Sequence, residues 1–418
     1  MSESPSPVIS QNTDRLPAGL PRNIWTLSIA SFLTDISTDM VVHLIPLFLA
    51  NALGARTLAV GMVEGVAETT SSLLKIVSGR WSDRIGQRKW LTVAGYGLST
   101  VAKPFLALAN TWTGVLGVRF VERAGKGIRT APRDALIADS ISDQQRGLAF
   151  GLHRAADTAG AALGLLIALV LVWRLQGSQI ELAAPTFRTL VWVSVIPALL
   201  AVLLLAVAVR EPEAAQKAAR TSLAWRDLPL GFKRFLPVIV LFTLGNSSDA
   251  FLVLRAQAAD MNVVSILGVL FLFDVVYAAL STPAGRLSDR YGRRRFMVAG
   301  WLLYAAVYAG FAFAATAWQI AALFAVYGVY MGMTEGVAKA FVADLVPQQQ
   351  RGTAYGWYNG AIGLTVLPAS LLAGLLWQGI GGWDGLGVAA PFLFGAGLAL
   401  LAAAAIGWWF PRQLQGSA

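Results

Sequence analysis

A stripe of ionisable residues runs along one apolar segment near the start of the chain. Asp35, Asp39 and His43 follow one another at intervals of four residues, so their side chains fall on one face of a helix. A carboxylate held away from water favours its neutral form, and it can therefore take up and release a proton near neutral pH. His43 either extends such a relay or lies near the outer headgroups. This stripe predicts proton exchange inside a cavity.

Two further acidic patterns follow at the same spacing. Glu64 and Glu68 share one face of the next apolar segment, and Asp157 shares a face with His153. A charge at the centre of a bilayer costs at least about 2.5–3.5 kcal/mol, so a buried acid should face a cavity or a partner. We expect Glu64, Glu68 and Asp157 to belong to the same cavity as the first stripe.

The segment 112–138 carries the densest charge. On a helix its charged side chains fall within about 140° of one another, which leaves the opposite face apolar. They are Arg119, Glu122, Arg123, Lys126, Arg129, Arg133 and Asp134. We predict that Arg119, Glu122 and Arg123 contribute to the cavity. The alternative is an internal ion-pair network in which this face holds helices together through the glutamates of the preceding segment.

The composition of the chain indicates where such residues lie. Of its 418 residues, 56% are hydrophobic and 13% are charged, whereas about a quarter of an average soluble domain is charged. A bilayer can accommodate that much apolar surface, which excludes a disordered protein, a disulfide scaffold and an ordinary soluble enzyme. The formal charge of +10 does not indicate nucleic acid, because the basic residues do not cluster on a water-facing domain. Absence of cysteine removes thiolate chemistry and cysteine-ligated metals.

Twelve apolar stretches are long enough to span a membrane, which takes about 20 residues. They cover roughly 26–50, 57–78, 90–110, 112–138, 147–173, 189–209, 236–258, 263–284, 296–315, 318–341, 352–376 and 389–410. We number them helices 1 to 12. Helix 4 is the most polar, but it must be counted as spanning, because otherwise the loops on either side of it change sides.

Basic residues mark one side of the membrane. The connections after even-numbered helices hold, together with the termini, about 20 Lys and Arg residues. The connections after odd-numbered helices hold only Arg56, Arg174 and Arg188. Because positively charged loops stay in the cytoplasm, both termini are predicted to be cytoplasmic.

The domain organisation follows from this layout. Residues 25–210 are predicted to form one six-helix bundle and residues 236–411 a second. Residues 211–235 are the longest polar interruption and are interpreted as a cytoplasmic linker. Residues 1–24 and 412–418 are expected to be cytoplasmic tails.

The two predicted bundles repeat each other in sequence. The connection after helix 2 is GRWSDRIGQRK over 79–89, and the connection after helix 8 is GRLSDRYGRRR over 285–295. A second echo pairs Ala138-Asp139 with Ala343-Asp344, and a third pairs Ser37-Thr38-Asp39 with Ser247-Ser248-Asp249. The repeat also pairs Glu68 with Asp274, so Asp249 and Asp274 are predicted to place acids on the second wall of the cavity. Three matched landmarks indicate a tandem duplication of six helices.

The pattern G-x-x-x-D-R-x-G-x-R-K after helix 2 resembles the cytoplasmic loop signature of the major facilitator superfamily (MFS), and here it occurs in both halves. With the twelve helices and the central linker, the resemblance covers residues 25–411. It implies an all-α integral membrane fold with two pseudo-symmetric six-helix bundles. Such bundles rock around a site near the membrane midplane. The chain resembles bacterial efflux-type members in particular.

The resemblance also implies roles for single residues. In matching transporters the loop aspartate pairs with a helix terminus and with basic residues of the neighbouring domain, and this contact latches the outward-facing state. By resemblance the latch consists of Gly79, Asp83, Arg84, Gly86 and Arg88 in the first half, and Gly285, Asp289, Arg290, Gly292 and Arg294 in the second. Arg119 stands where similar exporters carry a membrane-embedded arginine linked to proton transfer.

An enzyme is the main alternative of a different class, and the sequence offers no site for one. Only two histidines are present, and Gly125-Lys126-Gly127 lacks the spacing of a phosphate-binding loop. We predict that the protein is not an enzyme and uses no cofactor or resident metal. A receptor or scaffold that kept a transporter fold without transport is a further alternative.

We therefore expect a multi-pass secondary transporter in the inner (cytoplasmic) membrane, and proton-coupled efflux of a drug-like or metabolite molecule is the leading hypothesis. Proton-coupled uptake of an organic solute or siderophore is one alternative. Divalent metal transport through Asp35, Asp39, His43 and His153 is another. The basic helix 4 would also suit an anionic substrate. The expected partners are a small-molecule substrate, H⁺ and the lipid bilayer, with no nucleic acid, and the protein is expected to be a monomer.

Overall fold

The computed structural model of the protein describes residues 20–85, 87–141, 145–211, 225–347 and 350–409. Within these residues it contains twelve helical spans and no β-sheet. Helix 1 runs over Arg22–Ala52 and includes a 3₁₀ turn and a π-helical turn in its second half. The others are helix 2 (Thr57–Ile85), helix 3 (Arg88–Leu108), helix 4 (Trp112–Asp139), helix 5 (Arg146–Gln176), helix 6 (Ala184–Ala208), helix 7 (Leu230–Gln257), helix 8 (Val263–Tyr291), helix 9 (Arg293–Phe313), helix 10 (Ala317–Asp344), helix 11 (Arg351–Gln378) and helix 12 (Ala390–Trp409). The predicted all-α fold with twelve spans is confirmed.

Hydropathy alone would have missed two of these helices. Ten described helices are long and apolar enough to cross a membrane, and helices 2 and 4 are not among them. Both are long enough, with 29 and 28 residues, but their charged side chains lower the mean hydropathy. Between the two helices Glu64 pairs with Arg119 and Glu68 with Arg123, so these side chains do not meet lipid.

The polarity of the molecule is the reverse of that of a water-soluble protein. Leu203, Val207 and Trp408 are 60%, 81% and 84% exposed, whereas Arg119 is completely buried. Apolar side chains on the outside suit a hydrocarbon environment, and charged side chains in the interior must find partners there.

The helices form two groups that meet along two seams. Helices 1 to 6 pack mainly with one another, as do helices 7 to 12, and the groups meet where helix 2 lies against helix 11 and helix 5 against helix 8. Glycines bring helices 2 and 11 close together. A Cβ on Gly61 would lie 2.2 Å from the carbonyl oxygen of Ser370, and one on Gly374 would lie 2.6 Å from the carbonyl oxygen of Thr57.

Helix 7 differs from its predicted form in two ways. It begins at Leu230, so the last residues assigned to the linker are helical. The predicted start at 236 is wrong because Lys233 and Arg234 interrupt the apolar run there. The helix is also broken between Gly245 and Ala250. Residues 1–19, 212–224 and 410–418, which include most of both tails and of the linker, lie outside the described residues.

Candidate functional site

A cavity of about 390 Å³ lies between the two halves, lined by helices 1, 2, 4, 7, 10 and 11. Six of the residues predicted for it are in its wall: Asp35, Asp39, Glu64, Glu68, Arg123 and Asp249. The first five come from the first half and Asp249 from the second. The sequence pattern therefore brings acids from both halves to one space.

Helices 2 and 4 are joined by buried ion pairs in the wall of this cavity. The Arg119 guanidinium donates to both carboxylate oxygens of Glu64, at 3.2 and 3.0 Å, and to Glu122 at 2.7 Å. One helical turn further on, Arg123 lies 3.0 Å from Glu68. This is the internal network that the sequence offered as an alternative for helix 4. Arg119 and Glu122 lie behind the main cavity, beside a small space between helices 1, 3 and 4 that also contains Lys103.

Three cavity acids have no such partner. Within the described ranges, no Lys or Arg nitrogen lies within ion-pair distance of Asp35, Asp39 or Asp249. Asp39 lies 3.4 Å from Nε2 of His43, on the next turn of helix 1. Asp249 accepts a hydrogen bond of 3.0 Å from the Tyr327 hydroxyl. These carboxylates are free to bind a proton or a cationic group.

Besides Arg119 and Glu122, two further predicted residues lie outside the lining of the cavity. Asp157 is on helix 5 beside the buried His153, with 3.7 Å between its Oδ1 and the imidazole Nε2. It is set back because helix 5 packs against helix 1, where a Cβ on Gly160 would lie 2.4 Å from the carbonyl oxygen of Phe32. Asp274 is on helix 8, near enough to His43 for their charges to interact.

The wall also contains polar residues that sequence analysis did not assign to it. Asn246, Ser247 and Ser248 occupy the break in helix 7, and Lys126 comes from helix 4. Interrupted helices commonly mark binding sites in transporters, because the break exposes polar groups at membrane depth. The Ser-Ser-Asp repeat was the available signal for this break. Tyr327 on helix 10 is both buried and part of the cavity wall.

The cavity is closed at the end where the odd-numbered connections lie. Asn51 at the end of helix 1 and Gln257 at the end of helix 7 exchange two amide hydrogen bonds, of 3.1 and 2.9 Å. Gln257 also donates to the carbonyl of Ile180 at 2.9 Å. Beside them, Thr57 donates its backbone N–H to the Gln378 side chain at 2.8 Å. All of these bonds cross the boundary between the halves, so this end must break them in order to open.

We expect Gln257→Leu to open this end of the cavity more often. It removes hydrogen bonds across the boundary that are only partly buried, and each such bond contributes about 0.5–1.5 kcal/mol net, or roughly 2- to 12-fold in population. The chain has no cysteine, so a single Val253→Cys in the cavity wall reports opening through its reaction with an impermeant thiol reagent added from that side. Gln319→Ala is the matched control, because Gln319 caps helix 10 at the same end but within its own half. Equal labelling rates of Val253→Cys alone, with Gln257→Leu and with Gln319→Ala would contradict the conclusion that these hydrogen bonds hold this end of the cavity closed.

At the opposite end, the two signature loops make matching contacts inside their own halves. Arg88 pairs with Asp139 and donates to the carbonyl of Ala135 at 3.2 Å. Arg293 lies 2.6 Å from Asp344 and donates to the carbonyl of Ala340 at 3.0 Å. The structural counterpart of Arg88 is therefore Arg293 and not Arg294, which instead donates to the carbonyl of Gly407 at 2.5 Å. In the first half Gln87 separates Gly86 from Arg88, the first residue of helix 3, whereas in the second half Gly292 directly precedes Arg293, the first residue of helix 9.

The remaining latch residues have varied surroundings. Asp289 pairs with Arg293 at 3.0 Å, and the Arg290 guanidinium lies over the Tyr291 ring. Gly292 has φ 93°, a conformation that favours glycine, and it ends helix 8. Gly79 packs against Ala131, Gly285 has open space around it, and Arg84 is exposed. The side chain of Asp83 and all of Gly86 lie outside the described residues. The latch role of these loops remains a prediction.

The divalent-metal alternative requires a cluster of ligands. In the described part of the chain, no group of three or more His, Asp or Glu residues is placed to hold a metal ion. Asp35, Asp39, His43 and His153 therefore do not form a common ligand set there.

Comparison with known proteins places this geometry among transporters. The sequence model described as Major Facilitator Superfamily matches residues 27–255 and 235–417. An uncharacterised MFS-type transporter of Methanocaldococcus jannaschii is 34% identical over 388 residues, covering 91% of this chain and 93% of that protein. The fosmidomycin resistance protein of Escherichia coli is 26% identical over 173 residues, covering 41% of this chain and 42% of that protein. A crystal structure of a mutant nucleoside transporter NupG superimposes with a TM-score of 0.78 at 14% identity, over 93% of this chain and all of that one.

Proposed function

The chain belongs to the major facilitator superfamily, and from this premise we propose that it exports a small organic molecule in exchange for protons. Members of this family are membrane transporters, so secondary transport across a membrane is its general activity. The finer proposal is carried by one observation: Asp35 and Asp39 on one wall of the cavity and Asp249 on the other have no Lys or Arg partner among the described residues.

The orientation follows from charge. Basic residues lie mostly on the side of the even-numbered connections and the termini, which we assign to the cytoplasm. The end closed by Asn51 and Gln257 is then the outer end, and the structure corresponds to a state closed to the outside. We propose that the protein works in the inner membrane as a monomer, and that the halves rock to close the cytoplasmic end when the outer end opens.

Proton coupling follows from the chemistry of the free carboxylates. A carboxylate in a closed cavity is stabilised by a proton or by a cationic group, and a positive charge bound elsewhere in the same cavity disfavours that proton. Proton binding from outside then displaces the substrate, and substrate binding from inside displaces the proton. Asp39 is the principal candidate, because it faces the cavity and contacts His43, a second group able to carry a proton.

Export is the favoured direction for two reasons. The loop signature resembles efflux-type transporters, and the fosmidomycin resistance protein is similar over part of this chain. Exchange of an outward-moving solute for an inward-moving proton uses an inward-directed proton gradient across the membrane.

The test is transport by purified protein in liposomes with an imposed pH gradient. Fosmidomycin, tetraphenylphosphonium and xylose serve as anionic, cationic and neutral probes, with the membrane potential clamped by valinomycin and potassium. We expect at least one probe to accumulate on the acidic side, and nigericin, which dissipates the pH gradient, to abolish its accumulation. Accumulation on the alkaline side would indicate uptake with protons, and accumulation insensitive to nigericin would rule out proton coupling.

A further inference from the structure

The basic residues of helix 4 are largely engaged within the first half. Arg119 is held by Glu64 and Glu122, and Arg123 by Glu68. Arg129 donates to the Ser99 hydroxyl at 2.9 Å and lies over the Tyr96 ring. Lys126 is the one basic side chain of the cavity wall with no ion pair in the described ranges. The density of positive charge in the sequence therefore does not produce a positive cavity.

Negative charge prevails in the cavity once these pairs are formed. In the wall itself Asp35, Asp39 and Asp249 remain, against Lys126 and a histidine. Lys103 and Arg129 lie outside this wall, in the adjoining space that Asp35 also lines, so they offset part of this negative charge but do not exceed it. Charges inside a cavity with low-dielectric walls act more strongly than at a water-exposed surface, so an excess of carboxylates concentrates cations there. An anionic substrate, which the basic helix 4 suggested, would meet repulsion instead.

The surroundings of Asp249 are apolar and aromatic. Val253, Met331 and Val366 lie in the same wall, and Tyr327 contacts Asp249 directly. The Tyr327 ring stacks on Phe273, with 5.4 Å between the ring centroids, and continues into a buried cluster of tyrosines. Aromatic faces attract cations, and methionine adapts to the shape of apolar ligands. This wall combines one carboxylate with a surface for an apolar body.

We propose that the cavity binds a lipophilic organic cation, with its charge beside Asp249 and its apolar body against Tyr327, Met331 and Val366. Asp35 and Asp39, on the opposite wall, carry the exchanged proton. The proposal gives the substrate class of the transport site and rests on the proposed function for that site. Asp249 is thereby a specificity-determining residue, and its repeat counterpart Asp39 is a proton-carrying one.

The test compares two probes of the same shape and opposite charge. Tetraphenylphosphonium and tetraphenylborate differ mainly in the sign of their charge, so the apolar contribution to binding is matched. Equilibrium binding is measured on wild-type protein in nanodiscs without a pH gradient, and empty nanodiscs give the background. With each probe measured separately, we expect specific binding of the cation, no specific binding of the anion, and weaker cation binding as the pH falls.

Variants then locate the charge. Asp249→Asn is expected to weaken binding of tetraphenylphosphonium at least tenfold. Asp260→Asn is the matched control: it removes an exposed acid from the end of helix 7, at a position with φ 60° that asparagine also adopts. Tyr327→Phe retains the ring and should change binding much less than Asp249→Asn. Thermal unfolding of each variant checks that it is folded.

If wild-type protein bound the anion as tightly as the cation, the proposal would be overturned. This comparison uses wild-type protein alone, so it does not depend on whether a variant folds. Equal effects of Asp249→Asn and Asp260→Asn would remove Asp249 as the anchor. The experiment is independent of proton coupling, since no gradient is present. Cation binding with no proton-coupled flux would contradict only the proposed function, and proton-coupled flux of an anion alone would contradict only the cation site.

Discussion

Asp39→Asn is expected to abolish accumulation driven by a pH gradient while leaving the protein folded. Asparagine has nearly the same size and shape as aspartate but cannot take up a proton in this pH range. Asp39 lies in the cavity wall, and no Lys or Arg of the described residues holds it in an ion pair, so its loss leaves no buried cation without a partner. The measurement is uptake of a transported probe into liposomes, with the outer solution more alkaline than the interior.

The same variant should retain exchange of substrate for substrate at equal pH on both sides, because that reaction needs the cavity to rock but needs no proton. Retained exchange with lost accumulation separates a coupling defect from a general loss of activity. Asp260→Asn is again the control for removing one acid. Accumulation by Asp39→Asn at the wild-type rate would reject the proposed role of this residue.

The membrane layout could be predicted from sequence because it depends on local properties. Length and apolar content identify ten of the helices. Helix 2 was also predicted from its apolar stretch, and the alternation of basic connections requires helix 4. Helix 4 was recovered in this way although its charges conceal it. The start of helix 7 at Leu230 was missed because the helix extends beyond the apolar run, and Lys233 and Arg234 lie in that extension.

The members of the site were easier to predict than their partners. Spacing correctly gave the faces that carry Asp35, Asp39, Glu64 and Glu68, because periodicity determines direction on a helix. Which acid meets which arginine depends on how far helices 2 and 4 are shifted along each other, and spacing does not contain that shift. The alternatives for Arg119 therefore stayed open until its bonds to Glu64 and Glu122 were seen.

The repeat contained more information than its sequence signature suggested. Asn51 and Gln257 are separated by 206 residues, the same offset as the two loop signatures, and they bond to each other across the boundary between the halves. Residues related by a pseudo-twofold axis meet where they lie close to that axis. A search for polar pairs at the repeat offset, near the ends of helices 1 and 7, could have found this contact.

Replacing Arg119 is expected to cause the largest loss of stability among the residues of the site. Its guanidinium is completely buried and forms ion pairs with two carboxylates, Glu64 and Glu122. Arg119→Met would leave both acids in the interior without their partner, and breaking a buried ion pair in this way costs about 3–5 kcal/mol. Arg119→Lys should recover little, because a single ammonium group cannot donate to two carboxylates in the fixed geometry of a guanidinium. The measurement is the midpoint of thermal unfolding in detergent, followed by tryptophan fluorescence.

A triple variant, Arg119→Met with Glu64→Gln and Glu122→Gln, distinguishes charge from packing. If the loss comes from stranded carboxylates, removing them should return most of the stability, since a buried ionic group replaced as a whole by neutral residues is often no less stable. If Arg119 acts mainly by filling space, the triple variant should be no more stable than Arg119→Met. We expect recovery of stability without recovery of transport, because the helix 2 and helix 4 wall would then have lost the charges that hold Arg123 and Glu68 in register beside the cavity. Wild-type stability of Arg119→Met alone would show that the triad contributes little to the fold.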